Sequence, residues 1–115
     1  YGRFLSTFGF PVTESLTLPK SGISILLPER ILRTADPLPH SWDVTSDSIA
    51  LWAAGELSAS LLLVKSREGD ARDLALVDAY FPTLSASLDV SVWFASGRAA
   101  GSVSRQLAAV EATLL

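Results

Sequence analysis

Eleven residues in the second half of the chain constrain its fold more than any others. From Leu84 to Phe94, LSASLDVSVWF, every even position is apolar: Leu84, Ala86, Leu88, Val90, Val92 and Phe94. Ser85, Ser87, Asp89 and Ser91 fill four of the five odd positions. A period of two is that of a strand with one buried and one wetter face. Trp93 interrupts the polar face and points to something covering that end. The period then changes. Val103, Leu107, Val110 and Leu114 stand at i, i+4, i+7 and i+11, one stripe of a helix that leaves Arg105 and Glu111 facing solvent. Gly97 to Gly101 is the loop between them, and Ser102 suits an N-cap.

A second alternating stretch runs from Ser48 to Val64. Ile49, Leu51, Ala53, Leu57, Ala59, Leu61 and Leu63 hold the odd positions, with Glu56, Ser58 and Ser60 between them. On a helical wheel those three polar residues scatter, so the pattern predicts a strand over 48–54, a bend at Gly55 and a strand over 56–65. Leu16 to Leu27 reads as two short extended pieces joined at Pro19–Gly22, with Pro28 ending the second. Ile31 to Pro39 reads as irregular because of Pro37 and Pro39. Arg72 to Phe81 suits a helix started by Asp70 and Asp73, or a doubly buried strand. The strand is preferred, and Pro82 stops either one.

These signals predict a mainly β chain, an antiparallel sandwich with a C-terminal amphipathic helix over 103–114. A compact α+β domain is the alternative. Residues 1–12, rich in aromatics, form an N-terminal arm or tucked segment, and 13–115 form a single β-rich domain.

Composition narrows the function. Of 115 residues, 49% are hydrophobic and 18% charged, the latter below the roughly 25% of ordinary soluble domains. A surface this poor in charge is expected to meet a partner. The net charge of −3 and the scattered basic residues argue against a grip on nucleic acid. Lys65, Arg67 and Arg72 alternate with Glu68, Asp70 and Asp73, the composition of a solvated loop. The absence of cysteine excludes disulfides and thiolate chemistry. The first residue is not methionine, which reads as a processed product, an excised domain or a fragment. No apolar run reaches the ~18 residues of a membrane span, and no signal peptide is evident.

Candidate chemistry is thin. His40, the single histidine, and Asp43 make a nominal triad with one of many serines, but no G-x-S-x-G turn presents a nucleophile. Asp36, Asp43 and Asp47 are the densest carboxylates near His40, without the spacing of a calcium loop. Asp70, Asp73 and Asp78 could supply an acid–base pair but read as a solvated face. No phosphate-binding glycine loop is present. No catalytic residue, metal ligand or cofactor is therefore expected. Trp42, Trp52 and Trp93 are core or contact residues, and Phe4, Phe8, Trp52 and Trp93 are the candidate interface.

From Leu74 to Leu107 the order of signals is an apolar strand (LALVDAYFP), a Thr/Ser linker (TLSAS), an alternating strand ending in tryptophan (LDVSVWFA), a small-residue loop (SGRAAG) and a short helix. In this the chain resembles the coat proteins of tymovirus-like plant viruses. The resemblance covers under a third of the chain and implies a jelly-roll subunit without a strongly basic arm, resident in a virion. A complete jelly roll has eight strands and this chain has room for about six, which implies a partial one. The expected function is thus a non-enzymatic assembly module that self-associates as a homo-oligomer or docks to a partner chain, with no membrane or nucleic-acid contact. The alternative is an α+β ligand- or protein-binding module from a larger bacterial protein.

Overall fold

The computed structural model describes residues 4, 7–67, 69, 73 and 75–114. They fall into two compact units, Tyr1–His40 and Ser41–Leu115.

In the first unit, β1 (Val12–Thr13) and β2 (Ile25–Leu26) pair in parallel. The Pro11 and Thr13 carbonyls each accept a 2.8 Å hydrogen bond, from the amides of Ile25 and Leu27. Helix α1 (Glu29–Ala35) follows, with Pro28 at its N-cap and Asp36 closing it in the left-handed region at φ 47°. The irregular path expected over 31–39 is corrected here. Pro37 and Pro39 lie beyond the cap, so they bound the helix instead of preventing it. Of the two expected extended pieces, the second contains β2, whereas β1 lies ahead of the first.

The second unit contains α2 (Ser46–Glu56), β3 (Leu61–Lys65), α3 (Phe81–Ser87), β4 (Val92–Ser96) and α4 (Ser102–Leu114). Strands β3 and β4 run parallel, Leu61 opposite Val92 through Lys65 opposite Ser96. Parallel neighbours need a crossover, and α3 lies within it. Helix α2 packs on α3 and β3, and α4 packs on β4 and β3. Leu51 and Phe81, both fully buried, anchor a core completed by Trp52, Leu63, Leu76, Val77, Leu84, Phe94 and Ala95.

This is a small α+β arrangement. The antiparallel sandwich or partial jelly roll is contradicted: the described strands are four short ones, in two parallel pairs. The capsid reading loses the fold on which it relied. Two helices account for most of the correction. The strand expected over 48–54 is α2, apolar on nearly every side and so without a 3.6-residue stripe. Its alanines favour helix, and the wheel failed only because Ser58 and Ser60 lie past its end. Ser58 takes the left-handed φ of 52°, while the Ser58 and Ala59 amides return to the carbonyls of Gly55 and Ala54, a Schellman closure. Only the end of the second expected strand, 56–65, survives, as β3.

Likewise the eleven-residue alternation is part helix. Leu84 to Ser87 belongs to α3, where Phe81 and Leu84 share the buried side at i, i+3. Small residues at 85–87 gave the alternation no structural meaning. Of the expected buried face, Leu84 and Phe94 are buried, Leu88, Val90 and Val92 half-buried, and Ala86 exposed. Pro82 does not stop an element but sits in the first turn of α3, where its missing N–H costs nothing. Residues 75–80 are turns and not the preferred strand, and the start of that segment lies partly outside the described residues. Helix α4 occupies the span read for it, with Arg105 and Glu111 exposed and Val103 and Val110 half-buried. Leu107 is more open than expected, Ser102 is its first residue, and the Leu114 side chain lies outside the described residues.

Candidate functional site

Polar order concentrates where β3 and β4 end. Lys65 is the last residue of β3, and its ammonium meets both carboxylate oxygens of Asp47 at 2.7 and 2.8 Å. The two side chains are only 24% and 11% exposed. Asp47 stands in the first turn of α2, so its charge also complements the amino end of that helix. An ammonium has three donors. Asp47 engages it on one side, which leaves capacity for a further oxygen.

The opening of α2 is held from far along the chain. Thr45, at the N-cap, makes no capping bond with its own side chain. That work falls to Asp78, whose carboxylate accepts five hydrogen bonds: from the Thr45 amide and hydroxyl at 2.8 and 2.9 Å, the Ser48 amide and hydroxyl at 3.0 and 2.5 Å, and the Phe81 amide at 2.9 Å. One carboxylate therefore satisfies the open N–H groups of α2 and α3 together. The Tyr80 amide adds a 3.0 Å bond to the Asp43 carbonyl. Burial pushes the Asp78 carboxyl up, but the bonds from Ser48 and Thr45 outweigh it and hold it below the ordinary 3.8.

The loops leaving β3 and β4 are tied to each other. Ser96 Oγ donates to the Ser66 carbonyl and accepts from the Arg98 and Ala99 amides, all at 3.2 Å. Fully buried Ser102, which opens α4, accepts the Ser96 amide at 2.9 Å. Gly101 turns the chain into α4 at φ 77°. Beyond Lys65, Arg67 pairs with Asp73 at 2.7 Å. Chiefly through that hydrogen bond, Arg67 holds the Asp73 carboxyl below its ordinary value. The amino ends of α2 and α4 and the basic residues Lys65, Arg67 and Arg98 thus gather at the carboxyl edge of a parallel pair. In α/β folds ligands bind outside that edge, and helix amino ends favour anions there.

The residues singled out from sequence fare differently. His40 is exposed and bonds Asp36 within the first unit, whereas Asp43 belongs to the second. Asp36 is with His40, Asp43 contributes a carbonyl and Asp47 is with Lys65, and no group of three potential metal ligands stands together among the described residues. Asp70 lies outside the described residues, while Asp73 and Asp78 are bonded to different groups. Phe4 and Phe8 are exposed, their rings edge to face with centroids 5.7 Å apart. Trp52 is buried in α2. Trp93 is half-buried in β4, its indole Nε1 enclosed without a partner among the described residues. Composition alone makes Lys65 and Asp78 solvated groups, whereas the structure binds one to Asp47 and the other to Thr45 and Ser48. The available signal was Thr45-Ser-Asp-Ser48 directly before an apolar run, a helix-start signature.

Comparison with known proteins adds one distant likeness. The chain is 27% identical over 99 residues to a (5-(aminomethyl)furan-3-yl)methyl phosphate kinase of Methanocaldococcus jannaschii, a match covering 70% of this chain and 46% of that protein. The chain thus spans less than half the length of this relative. No family model matches the chain, and no solved structure matches it.

Proposed function

We propose that the second unit is an α+β ligand-binding module that receives a phosphate-bearing ligand, as part of a small-molecule phosphotransferase. The observation that carries this reading is Lys65, held by Asp47 at the carboxyl edge of β3 beside the amino end of α2. A kinase transfers a phosphoryl group from a nucleoside triphosphate, and catalysis of that transfer is largely positioning and charge stabilisation. A lysine fixed by a carboxylate, with donor capacity left over, suits a phosphate oxygen. The likeness to a phosphate kinase supports the same class. This favours the α+β binding module over the assembly module, and it lends the non-enzymatic expectation no support.

Calorimetric titration with Mg-ATP tests the proposal. Binding is expected, and Lys65→Met should weaken it about tenfold, the loss of one charge-assisted hydrogen bond. A folded chain that takes up neither Mg-ATP, Mg-ADP nor inorganic phosphate would sink it.

A second reading, docking to a partner chain or to a second copy, is favoured by the exposed aromatics: Trp42 is 98% exposed, and Phe4 and Phe8 are open as well. Light scattering across a concentration series tests it, and a mass that stays monomeric removes self-association.

A further inference from the structure

We infer that Asp78 is a positioning residue, which sets the first turn of α2 so that Asp47 presents the Lys65 ammonium to a ligand at the carboxyl edge; the ligand half of this statement rests on the phosphate-binding reading above. Asp78 lies outside the Asp47–Lys65 pair and bonds neither member. Its carboxylate grips both sides of Asp47 in sequence, through Thr45 two residues before and Ser48 one residue after. The peptide carrying Asp47 is therefore clamped at both ends by a group 30 or more residues away. The same carboxylate bonds the Phe81 amide, and Phe81 is fully buried against the core. Leu76 and Val77, just ahead of Asp78, are buried as well. The clamp thus has a rigid base, and the path to Lys65 is short: core, Asp78, the turn 45–48, Asp47, Lys65. Were Asp78 only a structural cap, its loss would destabilise the unit without altering Lys65 selectively.

Lysine reactivity separates the two. The chain has two lysines, Lys65 and the exposed Lys20, so Lys20 serves as an internal reference. Competitive trace acetylation, read by mass spectrometry, gives the Lys65 to Lys20 ratio. Asp78→Asn is expected to raise that ratio about fivefold, the scale of losing a helix cap. Ser48→Ala, which deletes one donor to Asp78, should raise it by a smaller amount, about twofold. Val77→Ala removes packing from the same segment but keeps the carboxylate, and should lower the melting temperature while leaving the ratio as in wild type. Mg-ATP affinity should fall with Asp78→Asn and hold with Val77→Ala. An unchanged ratio in folded Asp78→Asn, or an equal rise in Val77→Ala, overturns the inference. Should Asp78→Asn fail to fold, Ser48→Ala decides, and no rise there overturns it. If wild type binds no Mg-ATP, the phosphate-binding reading falls, while the lysine ratio still decides whether Asp78 positions the pair.

Discussion

The two ends of the β3–β4 pair are built from different materials. At the carboxyl end, Lys65, Asp47, Asp78, Ser96 and Ser102 are joined by hydrogen bonds of 2.5–3.2 Å that cross between elements. At the amino end lies a groove of about 620 Å³ lined by Gly55, Ser58, Ala59, Ser60, Leu88, Asp89, Val90 and Ser91. Among the described residues the hydrogen bonds of that groove are backbone ones, such as the 2.9 Å bond from the Leu61 amide to the Ser91 carbonyl. Both ends are polar in composition. Only one is polar in organisation, with charges of both signs held in fixed geometry. Fixed donors and charges are what a ligand site requires, and mere serine content is not. The contrast is therefore a claim about which end is sensitive to substitution.

Its strongest test is the ion pair. Lys65→Met leaves the Asp47 carboxylate enclosed without its partner, and should cost roughly 2–4 kcal/mol in denaturant unfolding. A cost near zero would make the carboxyl end as tolerant as the amino end.

Next comes the clamp. Asp78→Asn should cost roughly 1–3 kcal/mol, since the amide replaces an acceptor of five bonds with one acceptor oxygen and one unwanted donor. The folded carboxyl titrates below its ordinary 3.8, so its contribution is full above that pH and fades as pH falls through the folded value. An acid-unfolding series should show wild type losing its advantage over Asp78→Asn below about pH 3.8. Parallel acid limbs for the two proteins would contradict the assignment.

The amino end should answer weakly. Gly55→Ala adds a methyl group that meets Leu88 Cδ1 at 3.3 Å, against a gain of up to about 1 kcal/mol in helix propensity. Leu88 is half-buried beside an open groove and can give way, so the melting temperature should hold or rise slightly. Smallest of all, Ser91→Ala should fall within about 0.5 kcal/mol of wild type. A large loss at either position would reveal organisation at this end that the contrast denies.

The same contrast explains what could be read from the sequence. Helix α4 was legible because Val103 and Val110 lie half-buried on one side while Arg105 and Glu111 face out. The start of β4 was legible as an alternating run into Trp93 and Phe94. Helix α2 was not: buried on almost every side, it has no polar face to set a period, and Ile49, Leu51 and Ala53 imitate a strand. In α3, Ser85, Ala86 and Ser87 are too small for their order to report a face. The candidate site was illegible for another reason. Asp47, Lys65 and Asp78 are remote in sequence, each sits among residues that read as solvated, and only the fold brings them to one edge. Short-range patterns can signal that Thr45 to Ser48 starts a helix. They cannot signal that its cap arrives from residue 78.

The carboxyl edge, and not the groove at the opposite end, is the proposed place where this unit meets a ligand. Backbone amide shift mapping by NMR during titration with Mg-ATP tests it most directly. Perturbations should cluster at residues 45–48, 65–67 and 96–102, with Gly55, Ser58 to Ser60 and Leu88 to Ser91 unmoved. Perturbations centred on the groove, or a spectrum that does not change at saturating Mg-ATP, would contradict it.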